Sequence, residues 1–378
     1  MKYRILYIVS SLRKSGPIVV LHNIISHLDQ DIYNVEIVKL SSDEKDRSVT
    51  KEFVDLGIRV HELNFTKLQI ELFPQKVANK IDEIISERKI KLIHTHGYQA
   101  VIVGSKIRNN IPRIETVHCI SEDDFCASKG KMIGKYMTCR YLQNLKKFNE
   151  VIAISKSVQQ YVRSKLSTLP ITIVPNGVTD VNPSLENKEN LRKRLGLSIR
   201  GVIFMVVGSL IIRKDPITII KAFKIAFPKK DFPEYELNFI GKGNLKEECE
   251  SIIGDDDRIK LLGWHENSYD YLKAADWSVS ASHSEGFGLN FVESLMVGTP
   301  IISTRIPAFN EFMMIFPELD KYRFNPGSID ELVKKFKLTI GKEQINKLSL
   351  IKGAKKYFSS STMAQQYMDV YKELIPNE

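Results

Sequence analysis

The sequence predicts an α/β protein made of two doubly wound, Rossmann-like domains, each a parallel sheet flanked by helices. Three observations point there. Short apolar runs alternate with stretches of helical periodicity along the whole chain, the pattern of repeated β-α-β units. In each half an apolar run passes through a Gly-containing loop into a helix, at 2–9 followed by Gly16-Pro17 and at 201–207 followed by Gly208. Finally, 378 residues are too many for one ordinary core and divide naturally into two.

Residues 2–9 read as a first buried strand and 18–28 as a helix with Val19, Val20, Ile24, Ile25 and Leu28 apolar. Between them, the loop Ser10-Ser11-Leu12-Arg13-Lys14-Ser15-Gly16-Pro17 stands where an α/β sheet meets a ligand. Arg13 and Lys14 can bind an anion there or simply be solvated. Strands follow at 35–40, 60–63 and 90–94, with an amphipathic helix at 74–88. The strand at 90–94 ends in His94-Thr95-His96-Gly97, either a structural pair closing the strand or a ligand contact. Ile114-Glu115-Thr116-Val117-His118 repeats the arrangement. A neutral imidazole can donate to and accept from a hydroxyl without bringing a full charge, which makes His118 a site candidate.

Residues 128–148 carry Ile133, Tyr136, Met137, Tyr141, Leu145 and Phe148 at helical spacing, interleaved with lysines and Arg140. Such a helix suits an anionic membrane surface, and equally suits packing on its own domain. A strand at 151–155, a helix at 156–165 and a strand at 171–178 complete the first half, and the polar stretch 179–190 fits a linker. The first domain is therefore expected to span 1–180 and the second 181–358, with a last helix from 359.

The second half opens with a strand at 201–207, then Gly208-Ser209-Leu210-Ile211-Ile212-Arg213-Lys214-Asp215-Pro216 and a helix from 217. A strand at 235–240 enters Gly241-Lys242-Gly243, which lacks the third glycine of a dinucleotide fingerprint. Asp255-Asp256-Asp257 lies between a helix and the strand 259–262 and reads as a turn. Helices are expected at 329–338 and 344–357.

The densest stretch runs Ser284-Glu285-Gly286-Phe287-Gly288-Leu289-Asn290-Phe291-Val292-Glu293, between strand-like runs at 277–281 and 301–303. Gly286 and Gly288 let the backbone pass close to a ligand, and the amides of Phe287 to Leu289 then lie at a helix N-terminus that favours phosphate or a hydroxyl-rich group. Glu285 and Glu293 would be about 12 Å apart at roughly 1.5 Å of rise per residue, too far to share a proton but suited to two ends of one polyol.

Composition bounds the rest. With 43% hydrophobic and 26% charged residues the chain is an ordinary globular protein. Met1-Lys2-Tyr3-Arg4 runs straight into a strand and no apolar run approaches a membrane span, so no signal peptide and a cytosolic location are expected. Cys119, Cys126, Cys139 and Cys249 have neither CxxC spacing nor a His-rich setting and read as reduced thiols. The net charge of +10 favours anionic partners, while no RNA- or DNA-reading motif argues for nucleic acid.

The Glu285 to Glu293 stretch, with Gly298-Thr299-Pro300 after it, resembles the E-x7-E motif of retaining glycosyltransferases of family 4. The resemblance extends over nearly the full length and implies the GT-B fold, two Rossmann-like domains facing a central cleft. It implies retaining, metal-independent transfer of a hexose or N-acetylhexosamine from a nucleotide sugar to a glycan hydroxyl, with no cofactor. A UDP-sugar is the expected donor, with GDP-mannose the alternative. The expected acceptor is a lipid-linked glycan of cell-surface polysaccharide, with the enzyme cytoplasmic and peripheral on the inner face of the membrane.

By the same resemblance Glu285, Gly286, Phe287, Gly288 and Leu289 hold sugar and phosphate, Glu293 grips the ribose, and the base lies near Trp264, with Gly241 also on the donor. Lys214 matches the family's diphosphate lysine. The family's arginine after Gly208 is replaced by Ser209, and Arg213 is the candidate substitute. Arg13, Gly16 and His96 fall on the acceptor side, and His118 on the transferred sugar. The helix from 359 is expected to cross back onto the first domain. A sugar-nucleotide epimerase of similar fold and a non-catalytic nucleotide-sugar binder are the alternatives.

Overall fold

The computed structural model describes residues 2–43, 47–179, 186–340 and 345–375. The middle of the expected linker (180–185), the boundary at 180/181, residue 344 of the helix expected at 344–357, and 376–378 lie outside the described residues. The chain forms two compact units, Met1–Gly177 with Ser360–Glu378, and Val178–Ser359.

The first unit holds seven parallel strands: β1 Tyr3–Val9, β2 Tyr33–Lys39, β3 Arg59–Glu62, β4 Leu92–His96, β5 Arg113–Val117, β6 Glu150–Ala153 and β7 Ile171–Ile173. Their order is β3-β2-β1-β4-β5-β6-β7, so the winding reverses between β1 and β4, where Val9 pairs with His96. Ile5 to Val9 are at most 1% exposed, as expected of a strand covered on both faces. β7 is shorter than the predicted 171–178 because Pro175 has no N–H to give the ladder. The first helix is Gly16–Ile25, beginning earlier than predicted. Pro17 sits in its opening turn, where a missing amide costs nothing.

The single helix expected over 128–148 is instead a hairpin, Ser121–Lys129 and Lys131–Leu145. Gly130, at φ +81°, turns the chain, and a Cβ on Gly134 would lie 2.5 Å from the backbone of Cys126, so the two helices touch backbone to backbone. Tyr141, Leu145 and Phe148 are buried, while Ile133 and Tyr136 are exposed. The apolar side chains of the second half of that stretch are therefore core, while Lys146 and Lys147 remain exposed.

The helix Ser360–Leu374 belongs to the first unit, packed on helix Gly16–Ile25. Its Tyr371 hydroxyl bonds Tyr7 Oη at 2.5 Å and His94 Nδ1 at 2.8 Å, and Tyr367 Oη bonds Thr116 Oγ1 at 3.0 Å. His94 Nε2 meets the same Thr116 Oγ1 at 2.8 Å, so His94 is a satisfied core histidine.

The second unit holds β8 Ile203–Val207, β9 Glu236–Ile240, β10 Ile259–Gly263, β11 Trp277–Ser280, β12 Ile301–Thr304 and β13 Arg323–Phe324. The order β10-β9-β8-β11-β12-β13 reverses between β8 and β11. Phe204, Phe223, Phe227 and Phe336 build the core on one face of this sheet, while Leu191, Met205 and Leu272 fill the other. No helix among the described residues is long and apolar enough to cross a membrane.

Candidate functional site

In an open α/β sheet, ligands bind beyond the strand ends at the point where the winding reverses. In the second unit that point lies between β8 and β11. The loop after β8 continues into a short 3-10 turn, Ile212–Lys214, and then Asp215, at φ +47°. Asp215 caps helix Pro216–Ala226 by accepting from Thr218 N at 3.2 Å. Its other oxygen is 3.1 Å from His283 Nε2, while His283 N donates to Arg213 O at 2.8 Å. These bonds stitch the loop after β8 to the loop after β11.

The stitch brings Arg213 and Lys214 onto Glu285. Arg213 Nη1 donates to Glu285 Oε2 at 2.8 Å and to Ser284 O at 2.7 Å. Lys214 Nζ donates to Glu285 Oε1, which also accepts from Ser282 Oγ at 2.7 Å. Burial alone would raise the pKa of Glu285, but the Lys214 and Arg213 charges, with these hydrogen bonds, hold it below the usual carboxylate value. The carboxylate side chain is 9% exposed against 30% for Arg213 and 19% for Lys214, so the cations remain reachable from solvent. A small recess beside them is lined by Gly208, Ser209, Lys214, Ser280, Ser282 and Asn290. Ser209 is exposed, and Arg213 supplies a cation in this loop where the family's arginine is missing.

Gly288, at φ +99°, turns the chain into helix Leu289–Met296, and a Cβ there would lie 2.4 Å from the Phe309 ring. Gly286 and Leu289 are half-buried. Phe287 is 4% exposed, with its ring 5.3 Å from that of Phe312 and 5.7 Å from that of Phe358. Its side chain anchors the loop, leaving only backbone for a ligand. Of the span from Glu285 to Glu293 only Leu289 onward is helical, so the 12 Å spacing that assumes a continuous helix does not apply.

Glu293 is half-buried and makes no hydrogen bond or ion pair among the described residues. Burial lifts its pKa to about 7, against the opposing pull of Lys214. Lys214 thus acts electrostatically on both glutamates.

Gly241 has a packing role. A Cβ on it would lie 1.9 Å from Gly208 O, and one on Gly243 would lie 2.0 Å from Leu210 O. The second glycine loop is a bare-backbone buttress for the first. Trp264 follows Gly263, at φ +78°, and is 54% exposed.

At the reversal in the first unit, the loop after β1 is pinned by Leu12 N to Asp43 Oδ1 at 2.8 Å and Lys14 N to Arg47 O at 2.9 Å. Arg13 and Gly16 are exposed beside it. His96, expected on the acceptor side, is 4% exposed, with Nδ1 2.8 Å from His118 Nε2. The half-buried member is His118, and burial lowers its pKa to about 4, so it is neutral at ordinary pH. His96 Nε2 is buried without a partner.

Beneath them Glu115 is fully buried on β5, accepting from Tyr141 Oη at 2.9 Å and Gly97 N at 3.1 Å and bonded to Thr95 Oγ1. Burial outweighs these bonds and lifts its pKa to about 8. Sequence reasoning passed over Glu115, although an acid inside the apolar run 114–117 was a visible signal. It also missed Ser282 and His283, for which the sequence offers none. No group of three or more His, Cys, Asp or Glu suited to a metal occurs among the described residues.

Two doubly wound parallel sheets, the second presenting paired cations and acids at its reversal point, define a glycosyltransferase of the GT-B class. The chain belongs to the family 4 glycosyltransferases: "Glycosyltransferase Family 4" matches residues 15–180 and "Glycosyl transferases group 1" matches 187–357. It is 27% identical to the O-antigen biosynthesis glycosyltransferase WclY of Escherichia coli, over 98% of each chain. It is 24% identical, over 66% of each chain, to an E. coli UDP-Gal:alpha-D-GlcNAc-diphosphoundecaprenol alpha-1,3-galactosyltransferase. Its fold is similar to that of Anabaena Alr3699/HepE, solved with UDP and glucose, at TM-score 0.77 and 19% identity over 98% of this chain and all of that one (100%).

Proposed function

We propose that this enzyme transfers a hexose or N-acetylhexosamine, with retention, from a nucleotide sugar to a hydroxyl of a lipid-linked glycan during cell-surface polysaccharide assembly. The observation that carries the reading is the Arg213–Glu285–Lys214 cluster at the reversal point of the second sheet. Two partly exposed cations beside a recess suit a diphosphate leaving group, whose developing charge they would neutralise without a metal. Glu285 occupies both cations. An incoming diphosphate would take them over and release the carboxylate to accept hydrogen bonds from sugar hydroxyls.

Glu293, half-buried and without a hydrogen bond or ion pair among the described residues, would accept from the ribose hydroxyls, and the amides of Phe287 to Leu289 would face the phosphate. In the first unit, neutral His118 offers a hydroxyl both donor and acceptor capacity, with Arg13 and Gly16 on the acceptor side and His96 acting through His118. A UDP donor is favoured by the uridine donor named for the galactosyltransferase relative and by the UDP held by HepE. The lipid-linked acceptor is favoured by the diphosphoundecaprenol in that relative's name, and the polysaccharide role by the O-antigen relative. Such an acceptor would hold a cytoplasmic enzyme at the inner face of the membrane.

The test is a thermal-shift panel of UDP-glucose, UDP-galactose, UDP-N-acetylglucosamine and GDP-mannose, followed by NMR of the product's anomeric proton. A stabilising nucleotide sugar and an anomeric configuration kept in the product are expected. An inverted product removes the retaining assignment, and conversion of the donor with no acceptor present makes the enzyme an epimerase. Binding without turnover over an acceptor panel makes it a binder.

A further inference from the structure

An apolar groove opens beyond the ends of β1 and β4 in the first unit, with a cavity of about 740 Å³, the size of a small-molecule pocket. Its walls are two helices. Leu68 and Leu72 project from helix Lys67–Leu72, and Ile133 and Tyr136 from helix Lys131–Leu145; all four are between 58% and 67% exposed. Phe73 (58%) and Met132 (87%), next to them in the chain, are exposed as well. Four large apolar side chains exposed on two helices and lining one groove are more than scattered surface residues.

The helix at 67–72 is not fraying. Thr66 and Gln69 close a reciprocal cap at its start, with Gln69 N to Thr66 Oγ1 at 3.2 Å and Thr66 N to Gln69 Oε1 at 2.9 Å. Arg140 ties the walls together, pairing with Glu71 Oε2 at 2.9 Å and donating to Glu71 O at 2.9 Å. The two walls are therefore held at a fixed separation.

The ends of the groove differ. The inner end, at the reversal point, is polar, lined by Ser10, Ser11, Arg13 and Gln99. Lys67 and Lys129 line it as well, and neither has an acidic partner among the described residues. Apolar walls with Arg13, Lys67 and Lys129 in the same lining complement one ligand chemistry, a long hydrocarbon chain bearing a phosphate.

We propose that this groove seats the proximal hydrocarbon of the phosphate-linked acceptor lipid, with its phosphate at Arg13, Lys67 and Lys129 and its sugar toward the reversal point near His118. The inference rests on the lipid-linked acceptor proposed above and adds where the lipid lies. A free oligosaccharide has no use for the apolar walls. A flat bilayer surface would meet a convex patch, whereas these side chains line one cavity.

The probe is farnesyl phosphate, titrated into the full chain while hydrogen exchange is followed. Saturable binding is expected, slowing exchange over 67–73 and 131–137, with inorganic phosphate alone giving no protection. The double variant Leu72→Asp with Ile133→Asp should bind farnesyl phosphate at least tenfold more weakly while keeping the wild-type thermal shift with UDP. Both positions are exposed, and the wild-type exchange pattern stands even if the variant folds poorly. Absence of saturable binding, protection elsewhere in the chain, or undiminished binding by a folded variant would overturn the proposal. So would protection of these segments by phosphatidylglycerol vesicles but not by farnesyl phosphate, which would make the patch a bilayer contact. Failure of every nucleotide sugar to bind wild-type protein would strike at the donor reading instead, while the farnesyl phosphate result remained readable.

Discussion

The two sheets reverse their winding at equivalent places, β1/β4 and β8/β11, yet the chemistry presented there is opposite. The second unit offers charge: Arg213 and Lys214 on Glu285, with Lys214 also acting on Glu293, which makes no hydrogen bond or ion pair among the described residues. At the ends of β4 and β5 the first offers neutral groups, with His118 and His96 bonded to each other and Glu115 held in a buried pocket that favours its protonated form, and its cation Arg13 stands apart on the loop after β1. Topology supplies the address in both cases, and the side chains decide what can be received. Fixed cations suit an anionic diphosphate, whereas neutral imidazoles suit an uncharged hydroxyl and would gain nothing from a phosphate.

The widest gap between the two regions should appear when charge is removed from the second. Lys214→Ala deletes the cation acting on both glutamates, and kcat/KM should fall about 10²- to 10³-fold, the usual scale for one preorganised electrostatic contact. Arg213→Ala, at a more exposed cation, should cost about tenfold. Steady-state kinetics with a saturating acceptor measures both. Equal activity of Lys214→Ala and wild type would remove the charged site from the mechanism.

Much of this contrast was legible in the sequence, and the failures have physical causes. The strand and helix order, the Gly288 turn and the cations before Asp215-Pro216 could be read because parallel strands are continuous apolar runs and turns demand particular residues. The burial of His96 could not, because a histidine at a strand end reads alike whether it faces solvent or a second histidine. The hairpin at 121–145 was misjudged for another reason. Helical periodicity continues across Gly130, and only the close backbone approach at Gly134 shows that two helices pack there. The groove walls at Leu68 and Leu72 went unnoticed because six residues are too short for periodicity to register.

A smaller effect tests the lone acid of the charged site. With its pKa near 7, Glu293 should lose its charge as pH falls from about 8 to 6, and a carboxylic acid accepts a hydroxyl hydrogen bond less strongly than a carboxylate. KM for the nucleotide sugar should therefore rise several-fold on acidification through pH 7, and Glu293→Gln should flatten that dependence. A pH-dependent KM that survives in Glu293→Gln assigns the titration to another group.

The finest test concerns the neutral region, through Glu115. Its carboxyl ionises at about 8 when folded and near the ordinary 4.5 when unfolded. Between those values the unfolded chain releases a proton that the folded chain keeps, so Glu115 lowers stability as pH rises from about 4.5 to 8. His118 works in reverse: folded at about 4 and unfolded near 6.5, it lowers stability as pH falls through that window. The two effects offset each other between about pH 4.5 and 6.5, so together they leave the first unit's stability level there and lower it on either side.

Glu115→Gln separates the two. The amide oxygen still accepts from Gly97 N and Tyr141 Oη, and its N–H₂ donates to Thr95 Oγ1, whose own hydrogen goes to Ile114 O at 3.2 Å. Near pH 5 the variant should match wild type in urea unfolding of the first unit. By pH 8.5 it should be more stable by about 2–4 kcal/mol, the order set by a shift of several pKa units at 1.36 kcal/mol each. A stability difference that stays constant from pH 5 to 8.5 would mean that Glu115 is ionised in the folded protein, and the first sheet's reversal point would then carry charge like the second.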